Sequence, residues 1–373
     1  MFILGNCIFM PSFKFLSPQN RSHIPSLDGL RATAIMLVFF AHVGYMYNVS
    51  WMGNFPGGFG VTVFFFLSGY LITTLLRREF EHTGSISFRK FYLRRAYRIF
   101  PPLYIVLFLI FLLAIFGVVQ HQMRWGAVLS EVFFWSNYYN LVHDMKGTFF
   151  VPTTGVTWSL AIEEQFYILF PIGLLALLRR MNYERIARIL FTLCVIALLW
   201  RCLLVYGMNV SGGYTYGGTD TRYDSLLYGC ILGLWRNPVY EPEWKFSIGP
   251  RTMFVIAILL LLSTFIYRDE AFRATFRYTV QGIALFPIFW LAIRYPEWPI
   301  FSWFNWPFVR FVGAISFTVY LSHVMALEFA DRLLEDKLPR AILGTAFTLS
   351  FSTLMYVLVE GPLAKLRQQL HRD

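Results

Sequence analysis

Apolar positions along this chain gather into ten long runs: 27–47, 57–76, 100–119, 158–178, 187–206, 222–235, 251–267, 278–294, 308–330 and 341–360. Short polar segments part them. A helix needs about 20 apolar residues to cross roughly 30 Å of hydrocarbon. In lipid, helices and closed barrels are the structures that satisfy their own backbone. Continuous runs, rather than alternating segments of about ten residues, predict helices and not a barrel. The expected fold is all-α, a polytopic membrane bundle of about ten helices. It forms one domain over 1–373, with 1–23 and 364–373 as tails. The sixth run is short and contains glycine. The stretch 125–142 is aromatic and only partly apolar, which suits an interfacial or re-entrant segment.

Composition agrees with this pattern. Of 373 residues, 57% are hydrophobic and 14% charged, against about 25% charged in a soluble domain. Mean hydropathy is +0.54. The net charge of +11 does not call for nucleic acid, because the basic residues sit in the segments between runs. With the N-terminus inside, 22 of the 32 Lys and Arg fall on the cytoplasmic side. That split places both termini in the cytoplasm. Cys7, Cys194, Cys202 and Cys230 form no CxxC pair and read as small hydrophobes rather than disulfides or metal ligands. The apolar start, MFILGNCIFMPSFKFL, lacks the basic region and cleavage site of a signal peptide.

Ionisable groups inside the runs are the candidate chemistry, since they are costly there and usually face a cavity. Arg31 and His42 in the first run are eleven residues apart. Three turns plus roughly 20° put both on one helix face, roughly 16 Å apart along the axis. Snorkelling to headgroups would account for the arginine alone, and packing for the histidine alone. Arg95 and Arg98, at i and i+3, share a face where a basic loop runs into a span, and two guanidiniums there suit a phosphorylated ligand. Most of that loop's charge reads as a topology anchor.

Glycines 57, 58 and 60 allow a sharp turn or a close approach, and Ser68 with Gly69 makes a small polar spot among phenylalanines. Glu163 and Glu164 lie one turn inside the fourth run, about 100° apart, so at most one faces the same site as His42. Trp158 and Tyr167 suit an interfacial or cavity wall. Arg222 and Asp224 read as a local ion pair. Tyr320, Ser322 and His323 sit in the middle of the ninth run, with His323 a second intramembrane histidine. Glu360 closes the tenth, where a loop arginine is its expected partner.

SLDGLRA, Arg-x10-His, GGFGVTVFFFLSGYLIT, FYLRRAYRIFPPLY, TWSLAIEEQFY, YLSH and EGP, in this order and spacing, resemble the acyltransferase-3 family of membrane-bound acyltransferases over residues 24 to 366. The resemblance implies transfer of an acyl group, usually acetyl, from cytoplasmic acyl-CoA. The acceptor would be a hydroxyl of a surface polysaccharide, such as lipopolysaccharide, or of its lipid-linked precursor. The setting would be a bacterial cytoplasmic (inner) membrane.

The implied donor site is Arg31, Arg95 and Arg98. His42 is the implied general base, with Glu163 or Glu164 orienting its ring and Glu163 favoured by its distance from Trp-Ser-Leu. A covalent acyl-histidine is a variant. Ser68, Trp158, Ser159, Tyr167, Tyr320 and His323 are the expected acceptor-side and cavity residues. No tightly bound cofactor and no metal is implied; acyl-CoA is a substrate. Some relatives carry an SGNH-type domain after the tenth span, and this chain, ending at Asp373, is expected to finish transfer within the membrane domain or with a partner. O-acylation of a small molecule such as a macrolide remains an alternative, as does a transporter or flippase using the same charges as an ion relay.

Overall fold

The computed structural model describes residues 25–118, 124–144, 152–241, 243 and 246–369; the expected tail 1–23, with Cys7, lies outside them. Helix α1, Pro25–Met46, is followed by one turn, α2, Ser50–Gly53, and then by α3, Gly57–Thr83. Helix α4 runs from Phe88 to Ile115 and so begins a dozen residues before its apolar run. Its start is fixed by Ser87, whose side chain accepts from the Lys90 amide. FYLRRAYRIFPPLY is therefore helical throughout, and Pro101 and Pro102 sit inside the helix.

The aromatic stretch becomes two short helices, α5, Trp125–Val132, and α6, Ser136–Asp144. Then come α7, Trp158–Leu178, and α8, Tyr183–Cys202, which ends in a π-helical turn at Leu203–Gly207. A short α9, Gly212–Gly217, leads into α10, Thr219–Leu234. The remainder is α11, Pro250–Ile266, α12, Glu270–Ala274, α13, Phe276–Arg294, α14, Pro299–Ser302, α15, Pro307–Leu333, α16, Lys337–Met355, and α17, Gly361–Gln369. The described residues contain no strand.

Each of the ten expected runs corresponds to a helix. Among the described residues, eight helical stretches are long and apolar enough to cross a membrane. The two shortfalls are α10, with 16 residues, and α11, with 17. Helix α10 opens with Thr219, Asp220, Thr221, Arg222 and Asp224, which lowers its apolar content, and its side chains from Thr221 onward, Tyr223 apart, are buried in protein. The protein is an integral membrane helical bundle. Leu169, Leu199, Leu259 and Leu358 are 60–71% exposed, as side chains facing acyl chains would be.

Small residues set the tightest crossing. A Cβ added at Gly69 of α3 would lie 2.0 Å from the Leu226 carbonyl oxygen of α10, and one at Gly229 would lie 1.9 Å from that of Phe66. The backbones touch reciprocally, as in membrane helix pairs built on small residues. Gly57 and Gly60 serve α1 in the same way: a Cβ there would come 2.8 Å from Ala41 Cβ and 2.5 Å from Ala34 O. Both lie in helix α3, so they provide close approach and not a turn.

Two further expectations change, and the reading of the cysteines stands for those described. Residues 364–369 are not a free tail, because α17 packs on α4. Cys194 and Cys230 are buried and Cys202 half-buried, all with free thiols. Asp224 does not pair with Arg222. It pairs with Arg201 at 2.8 Å, both side chains fully buried, because the two residues of α10 lie about 200° apart around the helix.

Candidate active site

Helix α1 crosses α3 and α15, and these three with α4 and α7 surround a narrow slot. The slot is a cavity of about 70 Å³ lined by Arg31, Ser68, Arg98, Glu163, Ser316 and Tyr320, with Phe64 and Phe65 as apolar wall. Beyond it lies a wider cavity of about 240 Å³ holding Arg94, Arg95, Arg98 and Arg367. Arg98 belongs to both linings. Arg31, Arg95 and Arg367 all act electrostatically on it. Helices α1 and α4 and the C-terminal α17 thus bring five guanidiniums to one end of the bundle, here called the arginine-rich face.

These charges are not equally free. Arg31 is tied to Asp28 at 2.8 Å and Arg94 to Glu79 at 3.2 Å. The Arg95 guanidinium stacks 4.5 Å from the centroid of the Tyr167 ring, a cation–π contact. Tyr167 donates to Glu163 Oε2 at 2.9 Å, and Ser68 donates to Glu163 Oε1 at 3.2 Å. One line of contacts therefore runs from the outer cavity into the slot: Arg95, Tyr167, Glu163, Ser68. Glu360, on a π-helical turn, accepts from Thr318 and lies within electrostatic reach of Arg98 and Arg367, so its arginine neighbours come from α4 and α17.

The glutamate pair divides as its 100° offset requires. Glu163 faces α3 and the slot; Glu164 Oε1 is buried with no hydrogen-bond partner. The next residue, Gln165, turns a further step and bonds Phe134 O at 2.8 Å and Asn137 Oδ1 at 3.0 Å, locking α6 to α7. Glu163 was expected to orient His42. Its hydrogen bonds go instead to Ser68 and Tyr167, because it faces the slot that Arg31 and Arg98 line, and His42 lies three turns from Arg31 along α1.

His42 has a different partner. Its Nδ1 is 2.8 Å from the Val38 carbonyl oxygen. A carbonyl only accepts, so Nδ1 carries the proton and Nε2 keeps its lone pair. The ring meets His323 edge-on, centroids 4.8 Å apart. His323 is fully buried, its Nδ1 bonded to Val319 O and Tyr320 O at 3.0 and 2.8 Å and its Nε2 without a partner. Ser316, Tyr320 and His323 recur at i, i+4 and i+7, one stripe of α15 running beside the Arg31–His42 stripe of α1. Tyr320 Oη donates to Val156 O at 2.8 Å and lies 2.6 Å from Ser159 Oγ. Trp158 stands 4.6 Å from Tyr216 and 6.2 Å from Phe65, ring to ring. Phe66 leaves this wall and packs on Phe289 at 4.5 Å.

Of the expected site residues, the structure brings Arg31, Ser68, Arg98, Ser159, Glu163 and Tyr320 around one slot. Arg95 and Tyr167 adjoin it, and His42 pairs with His323 farther along. Trp158 stands behind Phe65. Sequence reasoning missed Arg94 and Arg367 at the entrance and Ser316 in the slot. Arg94 stands in the RRAYR cluster that runs into the span, but only Arg95 and Arg98 of that cluster were assigned to the donor site. Arg367 sits in a basic tail with no signal that α17 folds back on α4.

Comparison with known proteins gives the family. The model of the family described as "Acyltransferase domain" matches residues 24–357, and the chain belongs to that family. It is similar to the peptidoglycan O-acetyltransferase OatA of Listeria monocytogenes, 31% identical over 362 residues, which are 93% of this chain and 56% of that protein. A Staphylococcus aureus protein provisionally named an O-acetyltransferase is 31% identical over 375 residues, 94% of this chain and 59% of that protein. The O-acetyltransferase OatA of Staphylococcus aureus is 29% identical over 367 residues, 94% and 58% respectively. The chain thus spans under two thirds of the length of these relatives. No solved structure matches it.

Proposed function

We propose that this chain is a membrane O-acyltransferase. On this reading it takes an acetyl group from acyl-CoA at the arginine-rich, cytoplasmic face of a bacterial cytoplasmic membrane and passes it to a hydroxyl of a cell-surface glycan or its lipid-linked precursor. The observation that carries it is the graded passage: a wide cavity with four arginines, narrowing through Arg98 into a slot of about 70 Å³. An anionic nucleotide fits the first and a thin pantetheine arm the second. Guanidiniums pair with phosphate oxygens by charge-assisted, often bidentate hydrogen bonds.

His42 is the proposed general base. Nε2 takes the proton of the acceptor hydroxyl as its oxygen attacks the thioester carbonyl. The C–S bond then breaks, and the proton passes from His42 to the departing sulfur. The Val38 carbonyl holds the tautomer this requires. Glu163 becomes a positioning residue: it fixes Ser68 and Tyr167, and through Tyr167 the seat of Arg95. The likeness to relatives named as O-acetyltransferases, one of them for peptidoglycan, supports acetyl as the group and a carbohydrate as the acceptor.

The test is thiol release by the purified protein in nanodiscs, given acetyl-CoA and a glycan oligomer, with no ion gradient. Acceptor-dependent release supports the enzyme. Absence of release with every acceptor, together with glycan or ion flux in proteoliposomes, would replace it by a transporter.

A further inference from the structure

A cavity of about 910 Å³ opens at the end of the bundle opposite the arginine-rich face. Three connections form it: the one from α1 to α3, the one from α8 to α9, and the one from α11 to α13. Arg268, Arg273 and Arg277 line it, with Glu270 the one acidic side chain among them. Arg268 and Arg273 are exposed and have no carboxylate partner among the described residues; Arg277 is half-buried and donates to the Tyr278 hydroxyl at 3.0 Å. The positive-inside bias accounts for basic residues at the other face and offers no reason for three here.

A second observation points the same way. Tyr216 and Tyr278 line this cavity, and behind them lies Arg222, fully buried. Its guanidinium sits 4.1 Å from the Tyr278 ring centroid and 5.6 Å from that of Tyr216, with Phe65 and Trp158 closing the cage. It donates to Thr62 Oγ1 at 3.1 Å and Tyr216 O at 3.4 Å, and its Nε has no partner. The neighbouring carboxylate, Asp224, is committed to Arg201. Arg222 is thus left with no carboxylate of its own, a net positive charge in low dielectric behind the cavity. Burying such a charge is costly unless something compensates it.

The cavity also adjoins the reaction centre. Gly57 in its lining packs against Ala41, next to His42, and Phe55 lies 5.5 Å from Phe40, ring to ring. Its volume is that of a site for a ligand of several rings, and Phe55, Phe59 and Tyr216 offer aromatic faces for sugar rings.

We infer that this cavity is the acceptor site and that it selects a glycan carrying an anionic group, held by Arg268, Arg273 and Arg277. The anion is either a carboxylate on the sugar or the phosphate that links the glycan to a lipid carrier. The inference rests on the acyltransferase reading for the word acceptor; the anion preference itself is tested by binding alone.

The experiment measures Kd on the full chain in nanodiscs of neutral lipid by quenching of tryptophan fluorescence. The probes are a neutral N-acetylhexosamine tetrasaccharide, the same tetrasaccharide bearing carboxylates, and a polyprenyl-pyrophosphate disaccharide. At least one charged probe should bind tenfold or more tighter than the neutral one, a difference of about 1.4 kcal/mol. In an Arg268→Gln, Arg273→Gln, Arg277→Gln variant that ratio should fall toward one. Tighter binding of the carboxylated sugar alone assigns the anion to the sugar, and of the pyrophosphate alone to the carrier. Equal affinity for all three probes overturns the inference, as does a preference that survives the triple substitution. So does competition by phosphatidylglycerol vesicles as strong as that of the glycans, which makes the site one for bulk lipid. Charge-selective binding without thiol release would keep the site and remove the enzyme.

Discussion

Arg98 is the side chain on which the two arginine-side cavities meet. Replacing it with alanine removes a guanidinium from the point where the nucleotide end of a donor would give way to its thin arm. A hydrogen bond to a charged group contributes about 1.5–3 kcal/mol, so losing one predicts a rise in the KM for acetyl-CoA of roughly 10- to 150-fold. Arg98→Lys keeps the charge but loses the planar fork and should fall between the two.

Arg95 makes a contrast with the same assay. Its guanidinium rests on Tyr167, and Tyr167 holds Glu163. Arg95→Ala should therefore raise donor KM and lower kcat as well, because it loosens Glu163 and Ser68 in the slot. The measurement is initial-rate thiol release in nanodiscs over a range of acetyl-CoA, repeated at two salt concentrations, with size-exclusion elution to confirm a folded protein. A donor KM for Arg98→Ala within twofold of the parent, in folded protein, would refute the reasoning and return these arginines to the role of topology signals.

Other expectations follow from the same geometry. His42→Ala should lower kcat by about 10²–10⁴-fold, the usual worth of a general base, with helical circular dichroism unchanged; near-normal turnover would remove His42 from the mechanism. Glu163→Gln keeps the hydrogen-bonding shape and removes the charge, so donor KM should change more than kcat, and a loss confined to kcat would argue that it acts on the reacting atoms. Asp224→Ala strips the partner from a fully buried Arg201 and should destabilise the fold by about 3–5 kcal/mol, read as a fall in thermal midpoint; an unchanged midpoint would mean the pair is solvated.

Much of this bundle was legible because lipid leaves the chain few choices. Ten apolar runs mark ten helices, and of the costly ionisable groups Arg31 and Glu163 line the slot while His42 and His323 meet each other farther along. What the sequence could not carry was which side chain meets which. Asp224 stands two residues from Arg222, but its partner is Arg201 on another helix, since residues two apart on a helix diverge. Glu163 was matched to His42 on its spacing after Trp-Ser-Leu, yet its carboxylate is held by Ser68 and Tyr167. Helix α10 was hard to read for a physical reason: its polar start is buried in protein rather than facing lipid, so it need not be apolar.

The two ends of the bundle differ in size in a way that bears on how transfer could cross the membrane. A ligand of several rings needs a pocket of about 300–1,000 Å³. The cavity near Arg277 has about 910 Å³ and the slot at Arg98 about 70 Å³. A glycan therefore has no room to reach His42 through the slot, while an extended acyl arm does. If His42 is the base, donor and acceptor must approach it from opposite ends, and only the acyl group passes between them. In sealed vesicles with the arginine-rich face outward, external acetyl-CoA should be consumed only when glycan is inside. Consumption with glycan supplied outside alone would place both substrates at one face, and the small slot would then have to open for a sugar ring.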